Sequence, residues 1–254
     1  MKKNHLNWSI YLNNNILTST IIYILWKFPH DLRRKLFSTF FHKKYWNLMG
    51  ARQGLSPPSD YGFCDKYKCI FVHVPKAAGT SIYKQVLKGN PGHRTITEYQ
   101  LMYGKEIFNH YYKFSITRNP WDRLVSAFCY LKYSGSEEDK NWAKIALAPY
   151  DDFDSFVRDL PNNKYYLTWV HFIPQYKFLM DPSGKIPLDY IGKMENLDSE
   201  ISLICKNLGI DNITLKKDNP SPNRKHYSTY YTEETKKIVS DIYQKDIKLF
   251  GYTF

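Results

Sequence analysis

Two stretches of this chain change hydrophobic period in the same way. In CIFVHVPKAAGTSIYKQVL (residues 69–87), Ile70, Phe71, Val72 and Val74 form a short apolar run that predicts a buried strand near 69–74. A polar turn follows from Pro75 to Ser81, and a helix is expected near 79–88. In FSITRNPWDRLVSAF (residues 114–128), a strand near 112–117 gives way to Leu124, Val125, Phe128 and Leu131 at helical spacing. Asn119 is placed as N-cap and Pro120 at the first helical position, so this helix is expected over 120–133. Beyond it the pattern predicts a helix-rich insertion that includes DDFDSFVRDL (151–160), a short strand around Tyr190 and Ile191, and a helix over 197–207. A last helix is expected to begin after Thr232 and end before Gly251, with Val239, Ile242, Tyr243, Ile247 and Phe250 as its buried stripe. Strands alternating with helices predict an α/β fold, a parallel sheet flanked by helices with helical insertions.

The two turns carry chemistry suited to anions. Lys76 supplies a cation and Thr80 and Ser81 two hydroxyls. Backbone N–H groups of Ala77, Ala78 and Gly79 at the opening of the next helix add donors at its positive dipole end. Gly79 is expected to relieve crowding beside a bound phosphate or sulfate. The loop departs from G-x-x-x-x-G-K-[ST], because Lys76 precedes Gly79 instead of following it, which argues against an ATPase or GTPase. Arg118, at the end of the second strand, and Ser126, two turns along its helix, suit a further phosphate, the arginine as a bidentate fork. Two phosphate sites imply a doubly phosphorylated nucleotide.

The P-K-x-x-G-T-S loop and the later R-N-P-x-x-R-x-x-S segment resemble the 5′ and 3′ phosphate-binding elements of sulfotransferases that use 3′-phosphoadenosine 5′-phosphosulfate (PAPS). The resemblance continues through GHRTITEY (92–99), HFIPQY (171–176), DYIGKMENL (189–197), KHYSTYYTEET (225–235) and DIKLFGY (246–252). This ordered set is similar to the carbohydrate branch, which includes bacterial members and animal Golgi enzymes acting on glycosaminoglycans. The resemblance implies a P-loop-like domain over 61–254, PAPS as co-substrate without a metal, and transfer of the sulfuryl group to a carbohydrate hydroxyl. It implies Lys76 as the cation at the leaving phosphate, with His93 as the general base; Glu98 is the alternative base. It also implies that Arg224, Lys225 and Tyr227 close on the nucleotide. His171, Gln175 and Tyr176 are expected in an acceptor wall, while His73 reads as a core histidine. Ala77 stands where the family usually has Thr or Ser, so one hydroxyl contact is missing.

Charge changes the picture mainly at the N-terminus. The chain has 254 residues and a net charge of +12, of which +8 falls within residues 1–55. Such a balance favours an anionic ligand, an acidic glycan or a membrane, and no nucleic-acid partner is expected. The apolar run at 16–28 is interrupted by Ser, Thr and Lys27 and is shorter than the roughly 20 residues of a membrane span. Residues 1–60 are expected as a basic, aromatic-rich helical segment. Trp8, Tyr11, Ile16, Leu17, Ile21, Ile22, Leu25, Trp26 and Phe28 either pack it on the core or face anionic lipid. Cys64, Cys69, Cys129 and Cys205 show no metal-ligand spacing and are expected as reduced core thiols, so the localisation expected is cytoplasmic, with the inner-membrane surface an option. Two other readings stay open: a nucleotide kinase with an altered phosphate loop, and a non-catalytic relative that binds polyanions or membranes.

Overall fold

The computed structural model describes residues 16–55, 60–216 and 225–254. In chain order the helices and strands are α1 (Ile16–Leu25), α2 (His30–Phe40), α3 (His42–Arg52), α4 (Gly62–Tyr67), β1 (Cys69–Val72), α5 (Gly79–Ser81), α6 (Ile96–Met102), α7 (Lys105–His110), β2 (Tyr112–Thr117) and α8 (Pro120–Tyr133). They continue with α9 (Glu137–Ala146), α10 (Phe153–Asp159), α11 (Tyr176–Leu179), β3 (Tyr190–Lys193), α12 (Leu197–Leu208), α13 (Glu233–Ile242) and α14 (Gln244–Phe250). The fold is α/β, with a three-stranded sheet in the order β1-β2-β3. β1 runs parallel to β2 with Cys69 opposite Tyr112 and Val72 opposite Ser115. All four residues of β1 are buried, which explains why its sequence is a continuous apolar run and not an alternation.

The described residues form two compact units. One takes in the described residues of Met1–Val74, with Ala78–Ile116 and Lys177–Lys216; the other takes in Pro75–Ala77, Thr117–Tyr176 and the described residues of Lys217–Phe254.

In the first unit, α2 and α3 pack on α6, and α1 packs on α2. Trp26 Nε1 donates to Gln100 Oε1 at 3.0 Å, and the His30 ring nitrogen to the Tyr103 carbonyl at 3.0 Å. Arg34 Nε donates to the Leu101 carbonyl at 2.9 Å and Arg52 to the Met102 carbonyl at 3.1 Å. Three consecutive carbonyls at the end of α6 are thus satisfied by N-terminal side chains, two of them cations at the negative end of the helix dipole. Part of the N-terminal charge therefore has a structural use. Ser115 Oγ, on β2, donates to the Val72 carbonyl at 2.7 Å and ties the two strands together at the end that leads into the loop.

The second unit is built round α8. Asn119 caps it by accepting from the Trp121 and Asp122 N–H groups, and Pro120 opens it. Its apolar face, Leu124, Val125, Phe128 and Leu131, packs with Phe156, Phe172, Val239 and Tyr243. The C-terminal helix expected as one element is two, broken at Tyr243. The break carries two buried polar tasks: Tyr243 Oη donates to the Phe172 carbonyl at 2.6 Å, and Asp246, fully buried, accepts from the N–H groups of Gln175 and Tyr176 at 2.7 and 2.8 Å. All four cysteines are free and buried, and burial pushes the Cys69 thiol up to about 12. Among the described residues no helix is long and apolar enough to cross a membrane.

Candidate functional site

Pro75 and Lys76 are held through their backbone carbonyls by two arginines of the segment that opens α8. Arg123 Nε donates to the Pro75 carbonyl at 2.8 Å and its Nη1 to the Ile173 carbonyl at 2.9 Å. Arg123 is only 2% exposed, its Nη2 has no hydrogen-bond partner among the described residues, and burial lowers its pKa. Arg118 Nη1 donates to the Lys76 carbonyl at 3.0 Å, and its Nε pairs with Asp122 at 2.8 Å. The Arg118 backbone is fixed in turn by Gln175: Arg118 N–H donates to Gln175 Oε1 at 2.9 Å and Gln175 Nε2 donates to the Arg118 carbonyl at 2.8 Å. The HFIPQY segment therefore positions the arginine from behind, and fully buried Gln175 spends its amide on that brace. Tyr176 is half-buried, and Ser126 is buried within α8.

Lys76 has a φ of +65°, a conformation that is sparsely populated for a residue with a Cβ. Its ammonium lies 3.7 Å from the centroid of the Tyr130 ring. Tyr130 Oη donates to Asp139 Oδ2 at 3.0 Å and accepts from the Ser136 N–H at 3.2 Å. His171 Nε2 donates to the other oxygen of Asp139 at 3.0 Å, and its ring meets that of Tyr130 edge-on, centroids 5.1 Å apart. Burial would raise the Asp139 pKa, but hydrogen bonds from His171, Ser136 and Tyr130 outweigh it and keep the carboxyl below its ordinary range. Burial lowers the His171 pKa, with Lys76 and Arg123 acting in the same direction against Asp139, so the pair is a carboxylate beside a neutral imidazole at neutral pH.

In the first unit the loop continues with Ala78, also left-handed at φ +59°. Gly79 lies against the His73 ring. A Cβ there would come within 1.9 Å of the His73 ring, so the glycine is required by close packing on that imidazole. The His73 ring lies in turn beside that of His93, tilted at 44° with centroids 4.3 Å apart, and His93 Nδ1 donates to the His73 carbonyl at 3.2 Å. Since a carbonyl only accepts, the neutral His93 ring has its proton on Nδ1 and its lone pair on Nε2. Gly79, His73 and His93 thus form one packed series that places the imidazole beside the start of α5. Ser81 is buried and Thr80 half-buried.

Glu98 is fully buried. It accepts from Thr95 N–H at 2.7 Å and Thr95 Oγ1 at 3.0 Å, completing a capping box at the start of α6, and pairs with Arg94 at 3.1 Å. On the C-terminal side Tyr227 is half-buried, with Asn119 Nδ2 3.5 Å from its hydroxyl and Phe254 against its ring. Arg224 lies outside the described residues. Among the described residues no group of three His, Cys, Asp or Glu side chains is placed to hold a metal ion. Arg123, Tyr130 and Asp139 were not assigned a site role from sequence. Arg123 had a signal, the second arginine of R-N-P-x-x-R-x-x-S; Tyr130 and Asp139 had none.

Comparison with known proteins places these features in context. A model described as "Sulfotransferase family" matches residues 59–253. The chain is similar to carbohydrate sulfotransferase 10 of Gallus gallus, 25% identical over 239 residues covering 74% of this chain and 65% of the relative. The Homo sapiens protein of that name is 25% identical over 240 residues with the same shares, and the Danio rerio one 24% identical over 298 residues, 95% of this chain and 80% of the relative. The chain thus spans a little under two thirds of the length of the chicken and human relatives, 65%. No solved structure matches.

Proposed function

This chain belongs to the sulfotransferase family, and on that premise we propose that it transfers the sulfuryl group of PAPS to a hydroxyl of a carbohydrate. The acceptor oxygen attacks sulfur in line, the bond from sulfur to the bridging phosphate oxygen breaks, and 3′-phosphoadenosine 5′-phosphate leaves. Little covalent work falls to the protein, as in phosphoryl transfer, so positioning and charge dominate. Lys76 offsets charge on the bridging oxygen. Ala77, Ala78, Gly79, Thr80 and Ser81 take the 5′ phosphosulfate, and Arg118 with Ser126 the 3′ phosphate. His93 accepts the acceptor's proton on Nε2. This assignment is favoured over Glu98, whose buried carboxylate is already used by Thr95 and Arg94. Tyr227 and Arg224 line the nucleotide, and Tyr176 belongs to the acceptor side, while Gln175 braces Arg118. A polysaccharide or glycolipid with acidic groups fits the charge of +12.

The observation that supports this reading most is the 3.0 Å hydrogen bond from Arg118 to the Lys76 carbonyl. It joins two segments that were matched separately to the 5′ and 3′ phosphate elements. The test is incubation with sulfur-labelled PAPS and a panel of acidic and neutral glycans, with and without EDTA. Labelled glycan formed equally in EDTA is expected, and Lys76→Ala lowers kcat on the order of 10²–10³-fold. Phosphoryl transfer from ATP that requires Mg²⁺ would install the kinase reading instead; glycan binding independent of any nucleotide would install the non-catalytic one.

The proposed location is the cytoplasm, with the inner-membrane surface as the alternative, consistent with four free thiols. Exposed Leu17, Ile24, Phe28, Phe40 and Trp46, interleaved with Lys27, Lys43 and Lys44, support contact with anionic lipid. Deleting residues 1–55 would also strip the carbonyls of α6, so Lys27→Glu with Lys43→Glu is the cleaner variant. Weaker sedimentation with phosphatidylserine vesicles is expected; unchanged sedimentation contradicts the contact.

A further inference from the structure

We infer that Tyr130 is a positioning residue for Lys76, with Asp139 and His171 fixing the ring on which the ammonium rests. The inference rests on the proposed role of Lys76 at the leaving phosphate. Lys76 is held at both ends: its carbonyl by Arg118 at 3.0 Å, its ammonium over Tyr130 at 3.7 Å. Two consecutive helices and a segment further along the chain converge at that ring. Tyr130 lies near the end of α8, Asp139 in the first turn of α9, and His171 in the segment before α11.

The Tyr130 hydroxyl and both Asp139 oxygens are engaged. The Tyr130 hydroxyl gives its proton to Asp139 and receives the Ser136 N–H, which leaves it no alternative rotor. Asp139, 6% exposed, is satisfied on one oxygen by His171 and on the other by Tyr130 and Ser136. Donation from the phenol to a carboxylate moves electron density onto the ring and strengthens its attraction for a cation. An aromatic face holds it weakly and yields to the charge that develops on a phosphate oxygen. The cluster thus turns His171 from a group expected to face the acceptor into one that supports the cation.

The test uses the full chain and two readouts. In a carbon–proton spectrum of the lysine side chains, the Cε resonance of Lys76, assigned by its loss in Lys76→Arg, is expected upfield in the wild type through the ring current of Tyr130. It should return to the position of solvated lysines in Tyr130→Leu and stay upfield in Tyr130→Phe. With PAPS and a glycan acceptor, Tyr130→Leu is expected to lower kcat about tenfold with the donor KM within about twofold, while Tyr130→Phe stays within about threefold of wild type. Tyr130→Gln removes the ring but can still donate to Asp139, and serves if the leucine variant does not fold; it should behave as the leucine variant does. The inference is overturned if the wild-type resonance is not shifted, if ring removal leaves kcat unchanged, or if Tyr130→Phe falls as far as Tyr130→Leu. An upfield resonance that depends on Tyr130, in a wild type without sulfuryl transfer to any acceptor, would leave the contact standing and defeat the transferase reading.

Discussion

The residues on the two sides of the Ala77–Ala78 bond are held by different forces. Before it, the Pro75 and Lys76 carbonyls are gripped by buried guanidinium groups, and the Lys76 side chain rests on an aromatic ring. After it, Gly79 fits against the His73 ring so closely that no Cβ can be added without displacing the imidazole, and that contact leads on to His93. One side depends on charge and hydrogen bonds, the other on shape. The first should be sensitive to deletion of donors and the second to addition of volume.

The contrast is broken most severely at Arg123. Arg123→Ala leaves the buried Pro75 and Ile173 carbonyls without their donor and opens a cavity, so a loss of about 3–5 kcal/mol is expected in urea unfolding. A loss below about 1 kcal/mol would mean that the arginine is dispensable for holding the loop. Adding one methyl at Gly79 tests the other side. Gly79→Ala should cost about 1–3 kcal/mol, and most of that should be recovered when His73→Ala is combined with it. Equal and additive effects of the two changes would show that the conflict lies elsewhere.

A smaller effect sharpens the comparison by pH. Burial depresses the pKa of both His171 and His30 from ordinary values near 6.5, so the unfolded chain takes up protons that the folded one refuses. Their contribution is fully present above 6.5 and is lost as the pH falls below it. Asp139, also depressed, contributes above its ordinary value of 3.8 and loses its contribution only below that. Between pH about 6.5 and about 4.5, therefore, the free energy of unfolding should fall by a histidine-driven amount, about 1.4 kcal/mol per unit of depression, and the melting temperature should fall with it. His171→Gln should flatten that slope; an unchanged slope would place the depressed group elsewhere.

Elements with a local signal were legible in the sequence. β1, β2 and α8 follow from a fully buried apolar run, a strand of the expected length and an Asn-Pro helix start; β2 and α8 occupy the residues expected of them, and β1 ends at Val72, two residues short. The features that were not legible all depend on partners distant along the chain. Tyr243 and Asp246 read as part of one continuous helix, because nothing local reveals that they must reach Phe172, Gln175 and Tyr176. The tasks of Arg34 and Arg52 were not legible because their targets, the last carbonyls of α6, lie 67 and 50 residues away. At Gly79 the need for a glycine was legible and the neighbour was not. Tyr130 and Asp139 belong to an ordinary amphipathic pattern, and only their meeting with Lys76 and His171 distinguishes them.

The central claim, a site for a nucleotide phosphorylated at both the 3′ and 5′ positions, is tested most directly by isothermal titration with 3′-phosphoadenosine 5′-phosphate, with AMP and ATP as controls. Binding at least about tenfold tighter than to AMP is predicted, with the difference abolished in Arg118→Ala, since a guanidinium–phosphate pair supplies it. Equal affinity for the three nucleotides, or no binding by a protein shown to be folded, would contradict the account.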